Sequence, residues 1–294
     1  MSFRRTISGL ANLHIFHRVD AVVYCEGGEQ LSVAAAIAGS GDHSTLDCAF
    51  WKRIASFLGC GRRYHFKSVG SKPTLISIAG DVARNAITTV RICFDRDFDW
   101  HCQRQRPDNF VAYTFGYSWE NDVTAEPVLE TLFFRLLVRD QESEKLFQTL
   151  SDELKRFRRD VRPWCETEIT LSKKNRSLVF NRDKPLAVID MSSKTPAFVS
   201  ERARAALRGC GYKRRPRSLT RIPEDEALRH CWGKMVSRFV YHLTIKIVGS
   251  VDPQFRLTYE AFMRLLASEV VEKMNTGDLK EMRDHYRSYA AVFA

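Results

Sequence analysis

The sequence predicts an α/β fold: a parallel sheet flanked by helices over residues 1–122, then a mostly helical, basic region over residues 123–294. Two observations carry this expectation. Between residues 19 and 99, short β-branched runs alternate with helix-like stretches, the pattern of parallel strands joined by right-handed crossovers. Beyond residue 122, apolar residues recur every three or four positions, the spacing of one helix face.

The first strand is Val19–Cys25, rich in valine and ending on Glu26. Gly27-Gly28 make the turn that follows easy and let a backbone or a phosphate come close. Residues 31–41 are small and fit neither period. Thr45–Leu58 reads as a helix, with Ser44 or Thr45 to cap it and Gly59 to end it. Arg62–Val69 alternates as a second strand. Gly70-Ser71-Lys72-Pro73 opens a helix running to about Arg84. Proline suits a first helical turn, and the N–H groups there, with Lys72 beside them, favour an anion. No Walker A loop is present, because G-x-x-x-x-G-K-[ST] does not occur. Thr89–Phe94 is the third strand and Asn109–Tyr117 the fourth, with a turn at Ser118–Asn121.

Helical texture then takes over. Val128, Leu129, Leu132, Phe133, Leu136 and Leu137 form one apolar face. Leu146, Phe147, Leu150, Leu154 and Phe157 form another, in a helix whose last turn is Lys155-Arg156-Phe157-Arg158-Arg159, where cations suit the dipole. Residues 167–190 are mixed, with short strands expected at Glu168–Leu171 and Leu186–Ile189, and Thr195–Leu207 reads as a helix. Two further stripes, from Trp232 to Ile247 and from Tyr259 to Val270, have the spacing of core or dimer-interface helices. No internal repeat or low-complexity segment occurs.

Chemistry concentrates at the end of the third strand. Asp95, Asp97 and Asp99 stand at every other position behind an apolar run, which delivers them to the sheet edge where open α/β sheets bind ligands. Acids that close repel unless something neutralises them. A hard divalent cation, Mg²⁺ or Mn²⁺, does so with oxygen ligands. Glu26 ends another strand, and neighbouring parallel strands would bring it within reach of the same ion or phosphate. Glu120 is either a further ligand or a cap for the next helix.

Composition narrows the classes. The eight cysteines form no C-x-x-C pair, which speaks against a zinc cluster or a disulfide framework and for reduced thiols in a cytoplasmic protein. Arg4-Arg5 is followed by no sustained apolar segment of the kind a signal peptide needs. No apolar run is long enough to span a bilayer. The net charge is +11, and it is uneven: residues 1–122 hold 14 Lys/Arg against 12 Asp/Glu, the remainder 32 against 23. Such an excess suits a polyanion partner. Its densest run is Tyr212-Lys213-Arg214-Arg215-Pro216-Arg217, a loop that fits a nucleic-acid backbone, a partner protein or plain solvation.

Glu26-Gly27 after the first strand and Asp95-Arg96-Asp97 after the third resemble the toprim signature of topoisomerases, primases and the overcoming-lysogenization-defect nucleases. More narrowly, these residues resemble the family called domain of unknown function 4435, together with Gly70-Ser71-Lys72 before a helix and Asp95-Arg96-Asp97-Phe98-Asp99 followed by Tyr117-Ser118-Trp119-Glu120-Asn121. The match covers roughly residues 19–122. Toprim proteins often carry an acid a few residues after the first Glu-Gly; here Glu29-Gln30 stands there.

The resemblance implies a toprim fold and a metal-dependent nuclease. Asp95, Asp97 and Asp99 would hold Mg²⁺, Glu26 would be a ligand or general acid/base, and Lys72 would assist electrostatically. Effectors of this kind in phage defence are held by an AriA-like ABC-type ATPase. On release they dimerise and cleave RNA, transfer RNA in particular. A topoisomerase is not expected, since strand passage needs far more chain and a nucleophilic tyrosine. The other readings are a catalytically silent subunit that only docks an ATPase, and a stand-alone RNA-maturation nuclease.

Overall fold

A computed structural model describes residues 7–38, 40–137 and 139–294. Arg4-Arg5, which bear on the signal-peptide expectation, lie outside them. In chain order come α1 Ile7–His17, β1 Ala21–Cys25, α2 Val33–Ile37, α3 Leu46–Leu58, β2 Tyr64–Ser68, α4 Lys72–Arg84 and β3 Val90–Phe94. Then follow α5 Asp99–Cys102, β4 Val111–Tyr113, α6 Trp119–Val123, α7 Glu126–Leu136 and α8 Gln141–Lys173. The short β5 Ile189–Asp190 and β6 Ala197–Phe198 precede α9 Ser200–Gly209, α10 Gly233–Val251, α11 Tyr259–Thr276 and α12 Lys280–Arg287. None of the described helices is long and apolar enough to cross a membrane.

The chain forms two compact units. The first runs to Arg96 and adds Arg106–Phe115 and Val271–Ala294; the second comprises Asp97–Gln105 and Gly116–Val270. The units therefore do not part at residue 122, where the sequence pattern changes. Residues 271–294 return to the first unit because they complete its packing. Tyr286 is fully buried, with its ring edge-on to Phe50 and Trp51 of α3. Arg91 of β3 donates to the Val292 carbonyl, and Tyr64 of β2 donates to that of Phe293.

The first unit holds a four-stranded sheet of order β2-β1-β3-β4, with every pairing parallel. This is the parallel α/β sheet that the strand–helix alternation predicts. Both central strands are buried throughout, as a sheet covered on two faces requires. On one face Val22, Tyr24, Val90, Ile92 and Phe94 join Leu10 and Leu13 of α1 and Leu75, Ile78 and Val82 of α4 in one apolar cluster. Away from that cluster, α3 packs on β1 and β2. Its ends are those expected: the Thr45 hydroxyl accepts from the Cys48 amide, and Gly59 closes the helix at φ 64°. Such a stop favours glycine.

In the second unit, α8 is longer than its apolar pattern suggested. It does not stop at Arg159 but runs on through Pro163 to Lys173, absorbing the strand expected at Glu168–Leu171. Proline inside a helix costs ~3 kcal/mol. That cost is outweighed because the buried stripe continues past it: Leu154, Phe157, Val161, Trp164, Glu168 and Leu171 are all buried. Each apolar side chain among them contributes ~1.5–3 kcal/mol on burial. Phe157 stacks on Phe239 of α10 at 3.9 Å. The expected turn at Ser118–Asn121 is instead the start of α6, which Ser118 and Asn121 close with a reciprocal capping box.

Candidate active site

The register of the sheet builds the site. Cys25 of β1 lies beside Cys93 of β3, so the residues just past both strands emerge together at the carboxyl edge. Glu26 Oε1 accepts a hydrogen bond from the Asp95 backbone N–H at 2.9 Å. Lys72, at the start of α4, donates from Nζ to the Asp95 carbonyl oxygen at 2.6 Å. Glu26, Lys72 and Asp95 are all half-buried. The structure thus unites three of the sequence-predicted site residues within the first unit. Both of these two contacts use the main chain of Asp95.

Two glycine turns hold this arrangement. Gly27 follows Glu26 with φ 94°, and Gly70 precedes Ser71-Lys72 with φ 91°. Each N–H donates to the other's carbonyl, at 2.9 and 2.8 Å. The turn carrying Glu26 is thereby fixed to the turn carrying Lys72. Neither position accepts a side chain: a Cβ on Gly70 would lie 2.5 Å from the Gln30 Cα, and one on Gly27 would lie 2.3 Å from an Asp47 carboxylate oxygen. Asp47, in the first turn of α3, is an acid that the sequence pattern did not single out. Its only signal was the ordinary preference for acids in a first helical turn.

The acidic run is divided between the units: Asp95 belongs to the first, Asp97 and Asp99 to the second. Asp97 has φ 49°, a left-handed conformation that Asp and Asn tolerate better than most residues. Its amide donates to the Tyr117 carbonyl at 2.7 Å, and its carboxylate lies 3.6 Å from the Arg182 guanidinium. Arg182 carries no motif and was not legible as a site residue. Asp99 opens the short α5. Glu120 is buried in α6 and accepts the Ser118 hydroxyl at 2.6 Å. Burial pushes its carboxyl up from the ordinary carboxylate range, with the Ser118 bond opposing. That setting suits a packed carboxyl against α10, where Gly233 leaves no space for a Cβ beside Ser118.

The donor chemistry fits a hard cation. Glu26 and Asp95 offer carboxylate oxygens, the ligands that Mg²⁺ and Mn²⁺ prefer. Among the described residues no group of three or more His, Cys, Asp or Glu is assembled as a metal-binding cluster. The usual Mg²⁺ arrangement needs only one or two acids, combined with waters and substrate phosphates, and Glu26 and Asp95 supply two at the ends of adjacent strands. All eight cysteines are free. Lys213, Arg214, Arg215 and Arg217 are exposed on a loop of the second unit, as expected.

Comparison with known proteins gives no relative: no family model matches the chain, and no curated protein matches it.

Proposed function

We propose that this chain is a metal-dependent nuclease that hydrolyses phosphodiester bonds in RNA, transfer RNA in particular. The observation that carries this reading is the contact of Glu26 with the Asp95 amide, at the ends of adjacent parallel strands and beside Lys72. Mg²⁺ or Mn²⁺ would be held by Glu26 and Asp95, with Asp97 and Asp99 the next candidate carboxylates along the sequence. When bound, the ion supplies charge stabilisation at the phosphate and a more acidic water. Glu26 is suited to take the proton of the attacking water as the new P–O bond forms and the P–O bond to the leaving oxygen breaks. Lys72 adds a fixed positive charge at the same edge.

The motif layout is similar to AriB, the toprim effector of the PARIS phage-defence system. By that resemblance an AriA-like ABC-type ATPase restrains the chain in the cytoplasm until a trigger releases an active homodimer. The eight free cysteines accord with a reducing compartment. The test is expression with and without the genomic neighbours, followed by sequencing of RNA ends. New transfer RNA ends that require this chain, together with a co-purifying ATPase, support the reading. Cleavage with no ATPase complex points to a stand-alone maturation nuclease. An ATPase complex with no cleavage points to a silent docking subunit.

A further inference from the structure

The second unit contains a cavity of about 510 Å³, within the range of about 300–1,000 Å³ typical of ligand pockets. Its walls are α8, α9 and the basic loop. Six cations line it: Arg159, Arg204, Arg208, Lys213, Arg214 and Arg215, against the single acid Asp160. Asp160 is paired with Arg159 at 3.5 Å, and Arg204 is paired with Glu201 at 2.9 Å. Among the described residues, Arg208, Lys213 and Arg214 have no carboxylate partner. Trp164 and Leu207, both buried, contribute the apolar part of the lining. The Arg215 guanidinium lies over the Trp164 ring at 5.8 Å, which orients it by a cation–π contact.

We infer that this cavity is a phosphate-binding pocket that grips consecutive phosphates of a single-stranded RNA. A concave site with several cations lacking acid partners is costly in self-repulsion, and an anion with closely spaced charges offsets that cost. Positive charge continues past the pocket along the same exposed loop, at Arg217 and Arg221. A strand can follow that line, whereas a compact anion cannot. Sequence alone showed the loop; the contributions of α8 and α9 appear only once the chain is folded. The pocket lies wholly within the second unit, and its test reads binding, so it stands or falls separately from the strand-end acids.

The test is fluorescence anisotropy of the full chain with labelled oligouridylate, without divalent metal, over a range of salt. Replacing Arg208, Lys213 and Arg214 with Gln should weaken binding about tenfold or more, and lower the salt slope by about 0.7 for each phosphate that is no longer neutralised. These residues are exposed, so the variant should fold normally. A control variant removes the same charge elsewhere, with Lys145, Lys174 and Arg256 changed to Gln. It should keep nearly the wild-type affinity. Equal losses in both variants would show diffuse attraction and overturn the pocket. Inorganic triphosphate binding more tightly than the oligonucleotide would overturn the strand as its ligand. Unchanged RNA binding with lost ATPase co-purification would overturn it in favour of a protein partner.

Discussion

Gly27 and Gly70 exchange both of their backbone hydrogen bonds, at 2.9 and 2.8 Å. One turn follows β1 and the other precedes α4, and the exchange sets Glu26 and Lys72 in fixed relation.

Gly70→Ala should therefore damage both fold and site. The new Cβ would sit 2.5 Å from Gln30 Cα and 2.7 Å from the Glu29 carbonyl oxygen, at φ 91°. A left-handed alanine alone costs ~1–2 kcal/mol, and a clash against backbone adds to it. Denaturant unfolding should show a loss of ~2 kcal/mol or more. Gly249→Ala is the contrast, since a Cβ there meets nothing within 4 Å on α10. It should stabilise by ~1 kcal/mol, the helix propensity difference. Equal effects at the two positions would contradict the role given to the Gly70 turn.

Asp95→Asn should weaken Mg²⁺ binding measured by calorimetry, since it removes a charged oxygen donor. It should not unfold the protein, because Glu26 and Lys72 meet Asp95 at main-chain atoms that the substitution keeps. Wild-type affinity in the variant would remove Asp95 from the ion site.

Stability should depend on pH through Glu168. It is buried on α8, and burial pushes its carboxyl up to about 8, opposed by a hydrogen bond from the Val179 amide at 2.6 Å. The folded state binds this proton more tightly than the unfolded chain, whose glutamate titrates near ~4.3. Its stabilising contribution is thus complete below that value and is lost as pH rises to about 8, by at most ~1.4 kcal/mol per pH unit. Glu168→Gln should remove this slope, raising Tm relative to the wild type near neutral and mildly alkaline pH and least in acid. A Tm difference that does not change with pH would contradict a neutral Glu168.

Much of the fold could be read from the chain itself. Thr45, Gly59 and Pro73 mark helix ends through purely local chemistry: α3 begins and ends, and α4 begins, where those residues indicate. The meeting of Glu26 with the end of the third strand was legible because parallel neighbours carry their carboxyl ends to one edge. Non-local features were not legible. The return of Tyr286 and Phe293 to the first sheet depends on single long-range contacts that leave no periodic trace. The run of α8 on through Pro163 follows from a buried stripe that outweighs the proline and that the cationic turn at Lys155–Arg159 does not announce. Asp47 and Arg182 carry no motif and become candidates only by position.

The central claim is that Glu26 serves phosphodiester chemistry rather than the fold alone, and Glu26→Gln tests it most directly. Glutamine keeps an oxygen for the Asp95 amide, so the strand-end contact survives while the carboxylate is removed. The measurement is cleavage of transfer RNA by purified wild type and variant, with Mg²⁺ present and after chelation. The wild type should cleave with Mg²⁺ only, and the variant, with unchanged Tm, should lose about a hundredfold or more, the scale of a missing general base. Wild-type cleavage by Glu26→Gln, or cleavage that persists without divalent metal, would contradict the claim.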